Sequence, residues 1–183
     1  MRMQSDTRWV SSSLPYLQAR TDGSPDAWSA ETTAQGRRGR QKIVHAGEVP
    51  APDVVAELLG VPPGEAVAVR RRLMLLDDRP SELTDTYYPV SIARGTPLAG
   101  TAKIPGGAVT LLARLGHTGA TVREDVIARM PTDGERRSLD TAPDEPVLQL
   151  TRLTLDRTGR PIQVDVMVMP AHRQRLHYEI ALP

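Results

Sequence analysis

Residues 66–89 read AVAVRRRLMLLDDRPSELTDTYYP, and this stretch decides the fold. It divides into two extended runs joined at Asp77-Asp78-Arg79-Pro80. Asp supplies local hydrogen bonds to such a turn and Pro fixes φ. Successive strand residues point to opposite faces, so Arg70, Arg72 and Met74 project together while Arg71 projects away. The second run, Ser81 to Tyr88, is polar and aromatic rather than aliphatic. A hairpin with arginines on one strand beside hydroxyls and carboxylates on the other reads either as a binding surface or as a solvated edge with weak ion pairs.

Composition narrows the function classes. The chain has 183 residues, 39% hydrophobic and 25% charged, with no Phe and a formal net charge of +1. This suits one globular α+β domain plus an appendage. A near-neutral balance argues against gripping DNA over a broad face, since such affinity comes from neutralised phosphates. The absence of Cys removes disulfides, thiol nucleophiles and thiolate metal sites together. No apolar run reaches the roughly 18–20 residues of a membrane span, and no secretory h-region is readable. The expectation is a cytoplasmic protein without membrane contact.

Outward from the hairpin, residues 1–40 read as a partly ordered lead-in, with a turn at Thr21-Asp22-Gly23-Ser24-Pro25 and a basic run Gly36-Arg37-Arg38-Gly39-Arg40. Trp9, Tyr16 and Trp28 are large enough to anchor this arm to the body or to a second subunit. The basic run also permits a nucleic-acid arm. Residues 41–183 form the domain proper. Gln41–Val49 reads as a strand. A helix follows, with Pro52 in its first turn and Gly60 as its C-terminal cap.

An irregular stretch extends from Pro89 to Gly107, a length that loops with a function often have. Ala108–Leu115 reads as a helix and Thr121–Met130 as a strand. The next helix carries a capping-box spacing at Thr132 and Glu135. Pro146–Asp156 and Pro161–Met169 form a second hairpin about Arg157-Thr158-Gly159-Arg160. In it Ile162, Val164, Val166 and Val168 face one way, Gln163, Asp165, Met167 and Met169 the other. Leu176–Leu182 supplies a closing strand. The order predicts a mainly antiparallel sheet with flanking helices.

No hydrolytic triad, P-loop or dinucleotide fingerprint is present. His45, His117, His172 and His177 do not stand at metal-ligand spacing, so no metal and no cofactor is expected. What remains is a set of polar groups that a mixed sheet gathers: Arg70, Arg72, Thr84, Thr86, Tyr87, Gly106, Gly107, Gln163 and Asp165. Arg suits capture of a carboxylate or phosphate, and Gly106-Gly107 leaves backbone N–H groups free at a helix start. This is binding chemistry without a nucleophile.

Several segments resemble the UTRA domain, the effector-binding half of HutC-type regulators in the GntR family. They are Gly47–Pro52 with Ala56–Val61, Arg70–Leu73, Asp77–Pro80, Tyr87-Tyr88-Pro89 and Gly159–Ile162 with the strand that follows. The resemblance covers roughly residues 41–178 and implies a chorismate-lyase-like fold without lyase activity, a small-molecule effector and a homodimer. Position by position, it puts one family arginine at Arg72 and Met74 in place of the other, with Arg70 on the same face available as a substitute. Thr84 stands for a strand Glu, Gly106 or Gly107 for a helix-opening Ser, and Gln163 for a second Glu. These departures favour a metabolite less anionic than a phosphosugar.

The family's winged helix-turn-helix is not readable in Met1–Arg40, which lacks a recognition helix. DNA contact is therefore expected only through an attached or separate head. Two other readings are a small enzyme, with Arg72 holding a carboxylate and Glu82 or Glu124 as the acid, and a stand-alone dimerising module.

Overall fold

The computed structural model of the chain describes residues 8–20 and 24–179. In order the elements are β1 (Trp9–Ser11), α1 (Leu14–Leu17), α2 (Ala27–Ala34), β2 (Gly39–Pro50), α3 (Asp53–Leu59), β3 (Ala66–Leu76), β4 (Arg79–Pro89) and α4 (Val90–Ala93). A 3-10 turn at Pro97–Ala99 leads to α5 (Ala108–Arg114), β5 (Thr121–Arg129), α6 (Asp133–Leu139), β6 (Val147–Leu155), β7 (Pro161–Pro170) and β8 (Gln174–Leu176). Six strands form one antiparallel sheet in the order β2-β3-β4-β7-β6-β5. The class is α+β, as the hairpin patterns predict.

The opening hairpin turns on two residues, Asp77 and Asp78, at φ 50° and 65°. Positive φ at both central positions is the type I′ geometry that matches strand twist, and Asp tolerates it better than most residues. The second hairpin, β6–β7, docks against the first through β4 and β7, with Thr86 opposite Asp165 and Thr84 opposite Met167. The two polar strands thus become central neighbours. Thr132 and Glu135 form a full capping box at α6, with Glu135 Oε2 accepting from Thr132 N–H at 2.8 Å. Gly60 caps α3 in the left-handed conformation at φ 67°.

One face of the sheet is apolar. Val67, Val69, Tyr87, Leu153 and Val164 pack under Val55, Ala56 and Leu59 of α3, and Leu83 and Val168 under Leu139 of α6. Each such side chain contributes about 1.5–3 kcal/mol when fully buried. On the other face, Ala68, Tyr88 and Ile162 pack against Ile92, Leu98, Ile104 and Leu112 of the 90–114 segment.

Ile162 was expected beside Val164. A register shift between Thr154 and Leu155 inserts it as an extra residue opposite β6, and this turns its side chain to the α5 face. A second bulge, between Ile43 and His45, leaves Val44 exposed on the β2 edge.

The lead-in is more ordered than its composition suggests. Trp9 and Trp28 meet edge to face at 5.5 Å and pack on Met74 and Leu76 of β3, so the arm docks on the body through its aromatics. Gly39 permits this, because a Cβ there would lie 2.4 Å from Thr32 Oγ1 and 2.7 Å from Trp28 Nε1. The basic run meets the hairpin turn through exposed ion pairs: Arg37 Nε lies 2.7 Å from Asp77, and Arg38 and Arg40 lie 2.8 and 3.3 Å from Asp78.

The expected closing strand is shorter and differently placed. β8 covers Gln174–Leu176 and pairs in parallel with β1, so it does not extend the main sheet. The remainder of that expected strand lies in part outside the described residues, as does most of the turn at 21–25.

Candidate ligand-binding site

The polar face of β3, β4, β7 and β6 forms the floor of a cavity of about 150 Å³, roofed by residues 11–20 and 26–28 and flanked by 104–109. A water needs roughly 10–15 Å³ by this measure, so the space accepts a small metabolite rather than one or two waters. Strand alternation delivers the floor: Arg70, Arg72 and Met74 from β3, Glu82, Thr84, Thr86 and Tyr88 from β4, Leu150 and Arg152 from β6, and Gln163, Asp165 and Met167 from β7.

Eight of the nine sequence-selected residues converge here: Arg70, Arg72, Thr84, Thr86, Gly106, Gly107, Gln163 and Asp165. Tyr87 does not. It lies on the apolar face in the α3 cluster, where its hydroxyl donates to Asp85 at 3.1 Å, and burial pushes its pKa up to about 12. The Tyr in the cavity wall is Tyr88, which shares the parity of Thr84 and Thr86. That signal was readable from the alternation alone. Arg20, Glu82 and Arg152 also line the cavity, Arg20 from the arm and Arg152 from a strand that reads as aliphatic.

The two β3 arginines have different tasks. Arg70 is buried and donates to the carbonyls of Pro97 (2.9 Å), Gly100 and Ala102 (3.1 Å), so it pins the loop after α4 to the sheet. Burial holds its pKa below the usual guanidinium range. Among the described residues Arg72 makes a single side-chain bond, from Nη2 to Thr86 Oγ1 at 2.9 Å. Its Nε lies in the wall, shut off from bulk solvent and without a partner, as do Tyr88 Oη and Arg20 Nε. Three donors without acceptors in one cavity wall are costly unless something fills the space.

Thr86 passes the chain onward, donating to Asp165 Oδ1 at 2.7 Å, while Gln163 Nε2 donates to Asp165 Oδ2 at 2.7 Å. Arg152 is already engaged. Its Nε lies 2.6 Å from Glu124 Oε1 and its Nη2 donates to Ser13 at 2.9 Å. At Glu124 burial favours the neutral acid, but Arg152 and the Ser13 hydroxyl outweigh it and hold the carboxyl below its usual range. Glu82 goes the other way. Burial pushes its carboxyl up, against the Thr84 hydroxyl and Arg72, which lower it.

Four arginines and three acids therefore line the cavity, with Asp26 tied to Lys103 at 3.3 Å and Glu82 biased toward its neutral form. The balance favours a ligand bearing acceptor atoms or negative charge. No metal-holding group of His, Asp or Glu occurs among the described residues.

An antiparallel sheet with helices on both faces and a polar cavity under an N-terminal roof defines the class, an α+β domain with its candidate site on one sheet face. The chain belongs to the UTRA domain family, whose model matches residues 34–175.

An uncharacterized HTH-type transcriptional regulator of Streptomyces coelicolor is 29% identical over 167 residues. That match covers 88% of this chain, and the chain spans 62% of the length of that relative. In fold, the chain is similar to a crystal structure described as a GntR-family transcriptional regulator (TM-score 0.81, 23% identity, 96% of this chain and 71% of that one). It is also similar to the effector domain of PhnF from Mycobacterium smegmatis (TM-score 0.72, 19% identity, 85% and 94%). Among the described residues no helix is long and apolar enough to cross a membrane.

Proposed function

We propose that this domain binds a small-molecule effector in the cavity between β3, β4, β6, β7 and the arm, and as a homodimer uses that binding to set DNA affinity in a winged helix-turn-helix, attached or separate. The protein acts in the cytoplasm and needs no cofactor. The carrying observation is the set of unpartnered donors in the cavity wall, Arg72 Nε and Tyr88 Oη on the floor with Arg20 Nε on the arm, beside a Thr86–Asp165–Gln163 chain that is satisfied internally. The likeness to the PhnF effector domain supports the reading by fold. Control requires that the effector bind two dimer arrangements unequally.

Thermal shift against a metabolite panel tests it. At least one compound should stabilise the wild type, and Arg72→Ala should lose most of that shift. Equal shifts in both proteins would remove the site assignment, and a monomer by light scattering would remove the dimer.

Glu82 gives a second reading a specific footing, because a carboxyl biased toward its neutral form beside Arg72 suits a small lyase acid. Glu124 does not suit that role, being ion-paired to Arg152. Turnover of chorismate by the pure protein, lost in Glu82→Gln, would establish the enzyme.

A further inference from the structure

A second space, of about 330 Å³, adjoins the polar cavity between α5 and the β5–β6 edge. Leu17, Val109, Leu112, Val122 and Ile162 supply its apolar walls, Tyr16, His117, Thr154 and Gln163 its polar ones, and among the described residues no Asp, Glu, Lys or Arg lines it. Tyr16, Val109 and Gln163 belong to both spaces, so the two are neighbours across a thin partition. The bulge that turns Ile162 out of its expected face supplies one of these walls. Gln163 is part of the partition. Its amide is held by Asp165 on the polar side, and the chamber lies on the other.

We propose that the effector is an amphipathic monoanion. Its acidic head takes the unpartnered donors of Arg72 and Tyr88, and its apolar tail passes Gln163 into the chamber between α5 and β5. The inference rests on the effector-binding reading above and names the ligand class for that site.

The head carries one charge because little cationic capacity is free. Arg70 is taken up by three carbonyls and Arg152 by Glu124 and Ser13, which leaves Arg72 and Arg20 to face the acidic side chain of Asp165. A dianionic phosphoryl group would meet only those two cations. The tail is apolar because apolar side chains outnumber polar ones in the chamber and no Asp, Glu, Lys or Arg among the described residues lines it, and ligand sites combine apolar walls with a few placed polar groups.

Straight-chain monocarboxylates from acetate to decanoate, titrated into the full chain by calorimetry, test this directly. Burying each methylene contributes about 0.8 kcal/mol, or roughly four-fold in affinity. Affinity should climb by about that factor per carbon and then level off once the chamber is full. Ala120→Phe fills the chamber from an exposed position, and Ala120→Leu does so more mildly should the first variant fold poorly. Both should flatten the climb, while Arg72→Ala should weaken every acid in the series.

A length-independent affinity that still needs Arg72 would overturn the tail and leave the effector site standing. A climb that persists in both Ala120 variants would place the tail elsewhere and overturn the proposal too. Failure of every acid to bind the wild type would overturn the ligand class, with the broader effector reading then judged by the metabolite panel alone.

Discussion

Thr86 Oγ1 donates to Asp165 Oδ1 at 2.7 Å across the β4–β7 junction, and it is the same oxygen that accepts from Arg72 Nη2. One buried hydroxyl thereby couples the two hairpins and orients the guanidinium proposed to meet the ligand. Among the described residues Thr86 and Gln163 are the side-chain partners of Asp165, which is 4% exposed. Thr86→Val keeps the shape and deletes both bonds. It should lower stability by about 1–3 kcal/mol, since it leaves part of a buried carboxylate unpaired. Urea unfolding would measure the loss. A change below a few tenths of a kcal/mol would show that the junction is held by backbone pairing alone.

Tyr88 behaves in the opposite sense. Its ring is fully buried and its hydroxyl lacks a partner, so Tyr88→Phe should leave the unliganded protein equally stable or more stable by about 1 kcal/mol. The same change should reduce the thermal shift given by any effector that stabilises the wild type. Loss of stability without loss of the shift would make Tyr88 a packing residue only.

Glu82 gives a pH signature. Its carboxyl is raised in the folded chain, so below its unfolded pKa both states hold the proton and folding is unaffected. As pH rises through that value the unfolded chain ionises first, and stability falls until the folded carboxyl ionises as well. Glu82→Gln should therefore stabilise the unliganded protein at pH 7, with the gain vanishing below about pH 4. Denaturant midpoints measured from pH 3.5 to 7.5 would reveal it. A gain of equal size at both ends would mean that charge is not the cause.

Gly39 is the contact on which the roof closes. Gly39→Ala would drive a methyl into Thr32 and the Trp28 indole, at a cost of about 1–3 kcal/mol. The arm should loosen from Met74 and Leu76, with Trp fluorescence moving to longer wavelength and effector affinity falling. An unchanged spectrum would show that α2 shifts as a body and keeps its seat.

The sheet was legible because both hairpins alternate over most of their length and carry residues suited to their turns. Asp77-Asp78 adopts positive φ, and the Thr132–Glu135 box forms where its spacing puts it. Most of the floor was legible for the same reason, since parity alone groups Arg70 with Arg72 and Thr84 with Thr86. Tyr87 has the chemical type of the site but the parity of the apolar face, and parity points to Tyr88. The roof was legible only in its aromatic anchors, Trp9, Tyr16 and Trp28, and not in the polar residues it brings to the cavity. Ser13, Tyr16 and Arg20 lie in a segment whose periodicity is weak, and their placement follows from two Trp side chains finding Met74 and Leu76, a tertiary choice with no local pattern. Ile162 changed faces through a bulge, and nothing in the composition of β7 announces one.

The parallel pairing of β1 with β8 has a mechanical side. Trp9 N–H donates to the Arg173 carbonyl at 2.8 Å and His177 N–H to the Ser11 carbonyl at 2.9 Å, so the short pair is bonded at both ends. A pull applied upstream of Trp9 and resisted downstream of Leu176 loads this pair along its length. Its bonds then share the force in shear instead of parting one by one. Arg173 continues the load path, because its guanidinium holds the Leu139 and Asp140 carbonyls at the end of α6. A tug on the arm is thereby delivered to the far face of the sheet, and the roof over the cavity rides on the element that carries it.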